Sequence, residues 1–415
     1  MNKRINKYLL CLMAFLVYSI ICKYLQAINR QSNGGVYLQY MLLVETLLCI
    51  PLYYCCKKKY SRFVSPAGNN FISFIVIYLS FEILNTMLFS PTWQYIRIEA
   101  VYWILFIGAF YMGANREFWK YLTPTILFSL LLSSVLSLSE ISTGTLSYIR
   151  AETNGINMDS YLYDIQIGFI ACSFALIYYV LKDCKYKRMI AIGAFVLYVC
   201  LQFFFQKRLP LARVFVTICI LLYIVKKYRN NIKISKLYIC GILALMVGAI
   251  TYVPQELISA TIDRFFEGGT ASATISTDSR YIIMNKALET NFSSPISFLF
   301  GHGLGGCVLG DFEGKMINIG GVAHDGLSEF EVGWACYFFK YGIVFILMFY
   351  SFILRKLWQF KSYLSDPLAL ACWGQVLITT LFSILGESFP NVSVPFSTFL
   401  LASSLGYLSL NTRNI

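Results

Sequence analysis

Charged side chains are scarce in this sequence. Only 13% of its 415 residues are Asp, Glu, Lys or Arg, about half the share usual in a soluble domain. A soluble fold of this size needs far more polar surface, so that class is excluded. Histidine is nearly absent: His302 and His324 are the only two, which excludes most His-based metal sites. No Cys/His spacing suggests zinc, and no D-x-D motif occurs. Low-complexity tracts, internal repeats and a soluble domain at either end are also lacking. Cysteine is present in number, with 13 residues. Nearly all of them lie inside apolar runs, as Cys11, Cys200, Cys219 and Cys240 do, where cysteine behaves as a small apolar residue. Only Cys307 falls in a long polar segment, so no disulfide framework is expected.

What is abundant is hydrophobicity, at 58% of residues. Apolar runs of nearly 20 residues recur along the whole length, the signature of transmembrane helices. They predict about twelve spans, at 8–25, 36–56, 71–89, 94–114, 118–138, 162–181, 189–206, 209–225, 236–254, 331–354, 367–386 and 393–409. The first run follows a basic start (Lys3, Arg4, Lys7) but has no small-residue cleavage site and exceeds a signal-peptide core, which predicts a retained helix. The fold class expected is an all-α polytopic membrane protein. Residues 1–254 form spans one to nine, 255–330 a large outer loop, and 331–415 spans ten to twelve.

The basic residues support this topology. With the N-terminus in the cytoplasm, 22 of the 34 Lys and Arg fall on inner segments, 8 on outer segments and 4 within spans. Four of the outer eight belong to the long loop, which the positive-inside comparison leaves out. Both termini are therefore expected in the cytoplasm. The +13 net charge needs no nucleic-acid partner; it is mostly cytoplasmic flanks facing anionic membrane lipids. The 76-residue outer loop, 255–330, carries 9 acidic and 4 basic side chains. Connections of that length are usually functional. Within it, "ISATIDRFF" and "RYIIMNKALE" read as short amphipathic helices.

Candidate chemistry gathers on the outer side. In "FFFQKRLPLARVFV", Lys207 and Arg208 precede a span, Pro210 suits its first turn, and Arg213 lies about one turn further in. Cations at a helix N-terminus make an anion site, and an arginine inside a span usually marks function, with snorkelling to lipid phosphate as the alternative. Arg97 could join them or pair with Glu99 or Glu45. Arg264 and Arg280 are the loop's two arginines, and Arg280 opens "RYIIMNKALE". His324, followed by Asp325 just before an apolar run, is a candidate general base or a polar cap on the next helix. His302 lies among glycines. Glu45 and Glu82, mid-span, could relay protons or pair between helices. Gly301, Gly303 and Gly306 match G-x-G-x-x-G, but a dinucleotide site needs a βαβ context, and here the setting is an outer loop.

In order, these passages resemble the bacterial O-antigen polymerase and O-antigen ligase superfamily, of Wzy and WaaL type. "QKRLPLARVF" resembles the family's Ser-Arg motif at a span start, with Arg208 at the arginine and Lys207 in place of the serine. "STDSRYIIMNKALETNFSSPISFLFGHGLGG" resembles its arginine, helix and Gly-x-Gly passage, with Arg280 at the arginine. "AHDGLSEFEVGWACYFFKYGIVF" resembles its His-Asn stretch, with His324 at the histidine, Asp325 in place of asparagine, and the following glycine displaced. The resemblance spans about residues 190–360 by motif and the rest by helix count.

The resemblance implies a GT-C-like membrane glycosyltransferase of the bacterial inner membrane, inverting, with no metal and no cofactor. Its donor is a glycan on undecaprenyl diphosphate. Arg208, Arg213, Arg280 and Arg264 would hold the diphosphate, with Arg97 and Lys207 in support. His324, with Asp325, would activate the acceptor hydroxyl. A chain-length regulator protein is a further implied partner. Diphosphate is a good leaving group and needs no general acid, while arginine supplies permanent planar donors for it. The activity expected is polymerisation of lipid-linked repeat units. The alternatives are a ligase that uses lipid A–core as acceptor and a polysaccharide flippase, which would not need the long loop. "GHGLGG" is expected to be a flexible or tightly turning stretch that brings the chain near the lipid-linked sugar.

Overall fold

A computed structural model describes residues 61–89, 96–142, 171–182, 184–204, 208–227, 279–310, 316–319, 322–327, 333–385 and 395–410. The predicted spans at 8–25, 36–56 and 236–254, and the "ISATIDRFF" helix, lie outside the described residues. The described helices are α1 Pro66–Phe89, α2 Ile96–Gly113, α3 Arg116–Ser142, α4 Cys172–Leu181, α5 Lys185–Phe204, α6 Arg208–Lys227, α7 Ser279–Phe292, α8 Pro295–Phe300, α9 Gly333–Trp358, α10 Pro367–Leu385 and α11 Pro395–Leu408. Three short strands, β1 Val308–Leu309, β2 Met316–Ile319 and β3 Val322–Leu327, lie between α8 and α9.

Four described stretches are long and apolar enough to cross a membrane: Pro66–Met87, Arg116–Val135, Gly333–Tyr363 and Pro367–Ile384. The protein is membrane-embedded, and its exposed side chains fit that setting. On α1, Ile77, Phe81, Leu84 and Met87 are exposed, at helical spacing along one face. Leu131 and Val135 do the same on α3, and Leu347 and Leu354 on α9. Apolar faces of this extent are unstable in water and natural in lipid. Trp358 ends α9 91% exposed beside the exposed Arg355, the pairing that anchors helix ends at a membrane surface.

The chain divides into two compact units, the first containing residues 115–265 and 361–375, the second residues 55–114, 266–360 and 376–415. In the first, α4 is buried along its whole length. Phe174 stacks on Trp119 of α3 at 5.4 Å. Tyr179 donates from its hydroxyl to the Thr123 carbonyl, and Ser173 shares a 2.8 Å hydrogen bond with Thr217 of α6. These buried polar links join helices where no water can serve them.

In the second unit α2 and α11 touch backbone to backbone. A Cβ on Gly113 would stand 1.9 Å from the Ser403 carbonyl oxygen, and one on Gly406 would stand 1.9 Å from that of Phe110. Small residues permit this approach, the usual means by which membrane helices pack without a hydrophobic drive between them. An aromatic layer joins α1, α2 and α9: Phe71 stacks on Phe352 at 3.9 Å, and Trp103 packs edge-on against Phe345 and Phe349.

The segment between α8 and α9 departs from an all-α reading. The three strands form an antiparallel sheet in the order β1-β3-β2, with Ile317 opposite His324 and Val308 opposite Leu327. The predicted helix "RYIIMNKALE" is present as α7. It buries Ile283 and Ala287 against Val308 of β1 and against Ala335, Cys336 and Phe339 of α9. The 283, 287, 291 spacing puts Asn291 on the same face, fully buried.

Candidate functional site

A break in α9 organises the second unit. Gly342 sits inside the helix at φ 69° and ψ −177°, a left-handed conformation that glycine adopts without strain. An interruption leaves the last four carbonyls of the preceding segment short of helical donors. Here all four are served from outside α9. The side-chain amide of Asn291 donates to the Phe338 carbonyl and the Tyr78 hydroxyl donates to the Tyr341 carbonyl. The backbone N–H of His302 donates to the Phe339 carbonyl at 2.9 Å, and that of Gly303 to the Lys340 carbonyl at 2.8 Å.

The glycine-rich stretch is therefore a docked turn. Gly301 and Gly303 hold φ values of 74° and 80°. A Cβ on Gly301 would stand 2.4 Å from the Lys340 carbonyl, and one on Gly303 would stand 2.0 Å from Thr86 Oγ1. Of the two forms expected for "GHGLGG", the tight turn is the one present. Glycine is needed here for close backbone approach.

A charged cluster lies beside the break. Lys340 pairs with Glu99 of α2, and both are buried. The Tyr341 hydroxyl donates to the second Glu99 oxygen at 2.6 Å and accepts from the Trp103 indole N–H at 2.9 Å. Glu99 is thus held by Lys340 and Tyr341; the side chain of Arg97, its partner in one sequence reading, lies outside the described residues. Glu82 is fully buried on α1, between Tyr78 and Thr86. Tyr78 and Asn85 are near enough to interact with it, yet neither completes a hydrogen bond to its carboxylate oxygens. Helical geometry puts residues 78, 82 and 86 on one face, so this carboxyl lies at the level of the docked turn.

His302 is half-buried, with its ring stacked on Phe339 at 4.6 Å. Its Nε2 atom is buried and has no hydrogen-bond partner among the described residues. His324 is instead exposed, on the central strand β3, and so is Asp325. It therefore does not cap α9, the second role open to it from sequence.

Arg280 is the second residue of α7, and Arg97 the second of α2. Arg208 opens α6, with Pro210 in the first turn as its sequence suggests. The side chains of these three arginines lie outside the described residues, as do Lys207, Arg264 and Glu45 entirely. Arg213 is half-buried on α6, and its carbonyl accepts from Thr217 Oγ1 at 2.7 Å. Arg208 and Arg213 belong to the first unit, and Arg280, His302 and His324 to the second. Among the described residues no group of three His, Cys, Asp or Glu could hold a metal ion.

Sequence reasoning missed the residues that build the break: Asn291, Lys340, Tyr341 and Gly342. A charged Lys340 two residues before a glycine, inside an apolar run, was the available signal. Comparison with known proteins yields no match to any protein-family profile, curated protein or solved structure.

Proposed function

We propose that the chain is a membrane glycosyltransferase that polymerises lipid-linked polysaccharide repeat units, in the manner of the O-antigen polymerase and ligase superfamily its motifs resemble. One observation carries this reading. The described residues between Arg280 and Leu327 build onto α9: α7 and β1 share a core with it, the glycine turn docks in its break, and His324 is exposed on the sheet just before it. A flippase has no use for such an insert.

The proposed reaction joins an acceptor hydroxyl oxygen to C1 of the donor glycan as the bond from C1 to the diphosphate oxygen breaks. His324 takes the hydroxyl proton, and undecaprenyl diphosphate leaves with its electron pair. Arg280 neutralises the charge that builds on the leaving group. Arginine suits this task because it stays protonated and presents paired donors to phosphate. A ligase would use the same groups on a lipid A–core acceptor. The further elements of the proposal are twelve spans, a GT-C-like architecture, and a bacterial inner-membrane location with both termini in the cytoplasm.

The test is reconstitution of the full chain with an undecaprenyl-diphosphate-linked oligosaccharide. The wild type should yield a ladder of polymer on lipid. His324→Ala should lower the rate roughly 10²-fold or more, the usual contribution of a general base, and Arg280→Ala should abolish polymer while Arg280→Lys retains a trace. Unchanged polymer length and yield in His324→Ala would refute the mechanism. Transfer to lipid A–core with no self-polymerisation would make the chain a ligase.

A further inference from the structure

The end of α7 and the stretch after it carry large apolar side chains that stand exposed. Phe292 is 64% exposed, Ile296 71% and Leu299 40%. They belong to the end of α7 and to α8, whose start is fixed by Pro295 and by Ser294 Oγ accepting from the Ile296 N–H. The sequence reading treats this stretch as part of an aqueous loop, where such exposure is unfavourable.

Its depth can be measured against two helices. Gly303 abuts the Thr86 side chain and the Glu82 carbonyl, three and seven residues inside the end of α1 at Phe89. At 1.5 Å per residue that is roughly 4–10 Å below the helix end. On α9 the turn meets Phe339 and Lys340, six and seven residues beyond the start at Gly333, or again roughly 10 Å. The turn is thus level with the membrane-crossing parts of both helices. Non-helical backbone is tolerated at that depth only where its polar groups are satisfied within the protein. The docked turn meets this condition at the break, with all four carbonyls served. Phe300 also packs on Phe81 at 5.5 Å, and Phe81 belongs to the exposed apolar face of α1. The uncovered side chains of α8 therefore continue a lipid-facing surface.

We infer that residues 292–306 form a shallow re-entrant element, entering one leaflet of the bilayer, and that Phe292, Ile296 and Leu299 contact acyl chains. The occupant of this surface is membrane lipid. The inference needs no glycosyltransferase activity and stands or falls separately from it.

The test places single cysteines in the full chain, reconstituted in lipid nanodiscs so that both faces are open. Glu289, at 71% side-chain exposure on α7, gives an aqueous reference of comparable exposure. With the unsubstituted protein as background, Ile296→Cys and Leu299→Cys should react about tenfold more slowly than Glu289→Cys with a charged maleimide, because a charged reagent is excluded from hydrocarbon. The three should react alike after denaturation in SDS. Independently, the Ile296→Trp protein should show more fluorescence quenching by brominated acyl chains than the unsubstituted protein. Labelling of Ile296→Cys at the rate of Glu289→Cys, or no added quenching in Ile296→Trp, would overturn the inference and make this surface aqueous, open to a soluble partner.

Discussion

Replacing Gly301 with alanine should undock the turn from α9. The loss has two parts. Alanine at a φ of 74° is disfavoured by about 1–2 kcal/mol. The new Cβ would also stand 2.4 Å from both the carbonyl carbon and the oxygen of Lys340. That obstacle is backbone, so relief requires the turn to move away. Movement strands the Phe339 and Lys340 carbonyls, which accept from His302 and Gly303, and an unserved buried carbonyl costs about 1–3 kcal/mol. The total is at least about 3 kcal/mol. Gly303→Ala makes an informative contrast, since its closest obstacle is Thr86 Oγ1 at 2.0 Å. Adding Thr86→Ala removes that atom and should recover part of the loss, whereas no side-chain change can rescue Gly301→Ala. Gly306→Ala, whose nearest neighbours stand at 3.0 Å or more, should lose about 1 kcal/mol or less. Unfolding midpoints in mixed micelles, read by SDS titration, would order the variants. A Gly301→Ala protein within 0.5 kcal/mol of wild type, a margin typical of surface changes, would refute the docked turn.

A further expectation follows from the same region. Lys340→Met alone strands Glu99 and should destabilise by about 3–5 kcal/mol, while Lys340→Met with Glu99→Leu should recover most of it, because removing a whole buried pair is often neutral; a double-mutant cycle on the same midpoints measures this.

The spans were largely legible. Runs at 71–89, 94–114, 118–138, 189–206 and 209–225 correspond to α1, α2, α3, α5 and α6 within a few residues at most ends, because twenty apolar residues in a row leave few alternatives. The "RYIIMNKALE" helix was legible from its apolar spacing. The break in α9 was not. Glycine is common in continuous membrane helices, and what makes Gly342 an interruption is the set of donors brought from Tyr78, Asn291, His302 and Gly303, which no local pattern announces. The sheet was hidden for a related reason: "MINI" and "VAHDGL" alternate too briefly, between glycines, to stand out from a loop. His324 was visible as a residue type, but its exposure on β3 depends on strand register. Glu99 and Lys340 were visible as charges within or near spans, and their pairing belongs to tertiary packing.

The order of synthesis gives the break in α9 one more property. Tyr78, Asn291, His302 and Gly303 all precede residues 338–341 in the chain. When α9 leaves the ribosome, every donor for its interrupted carbonyls has already been made. The helix meets its caps as it inserts, so its break need never wait, uncapped, for a segment still to be translated.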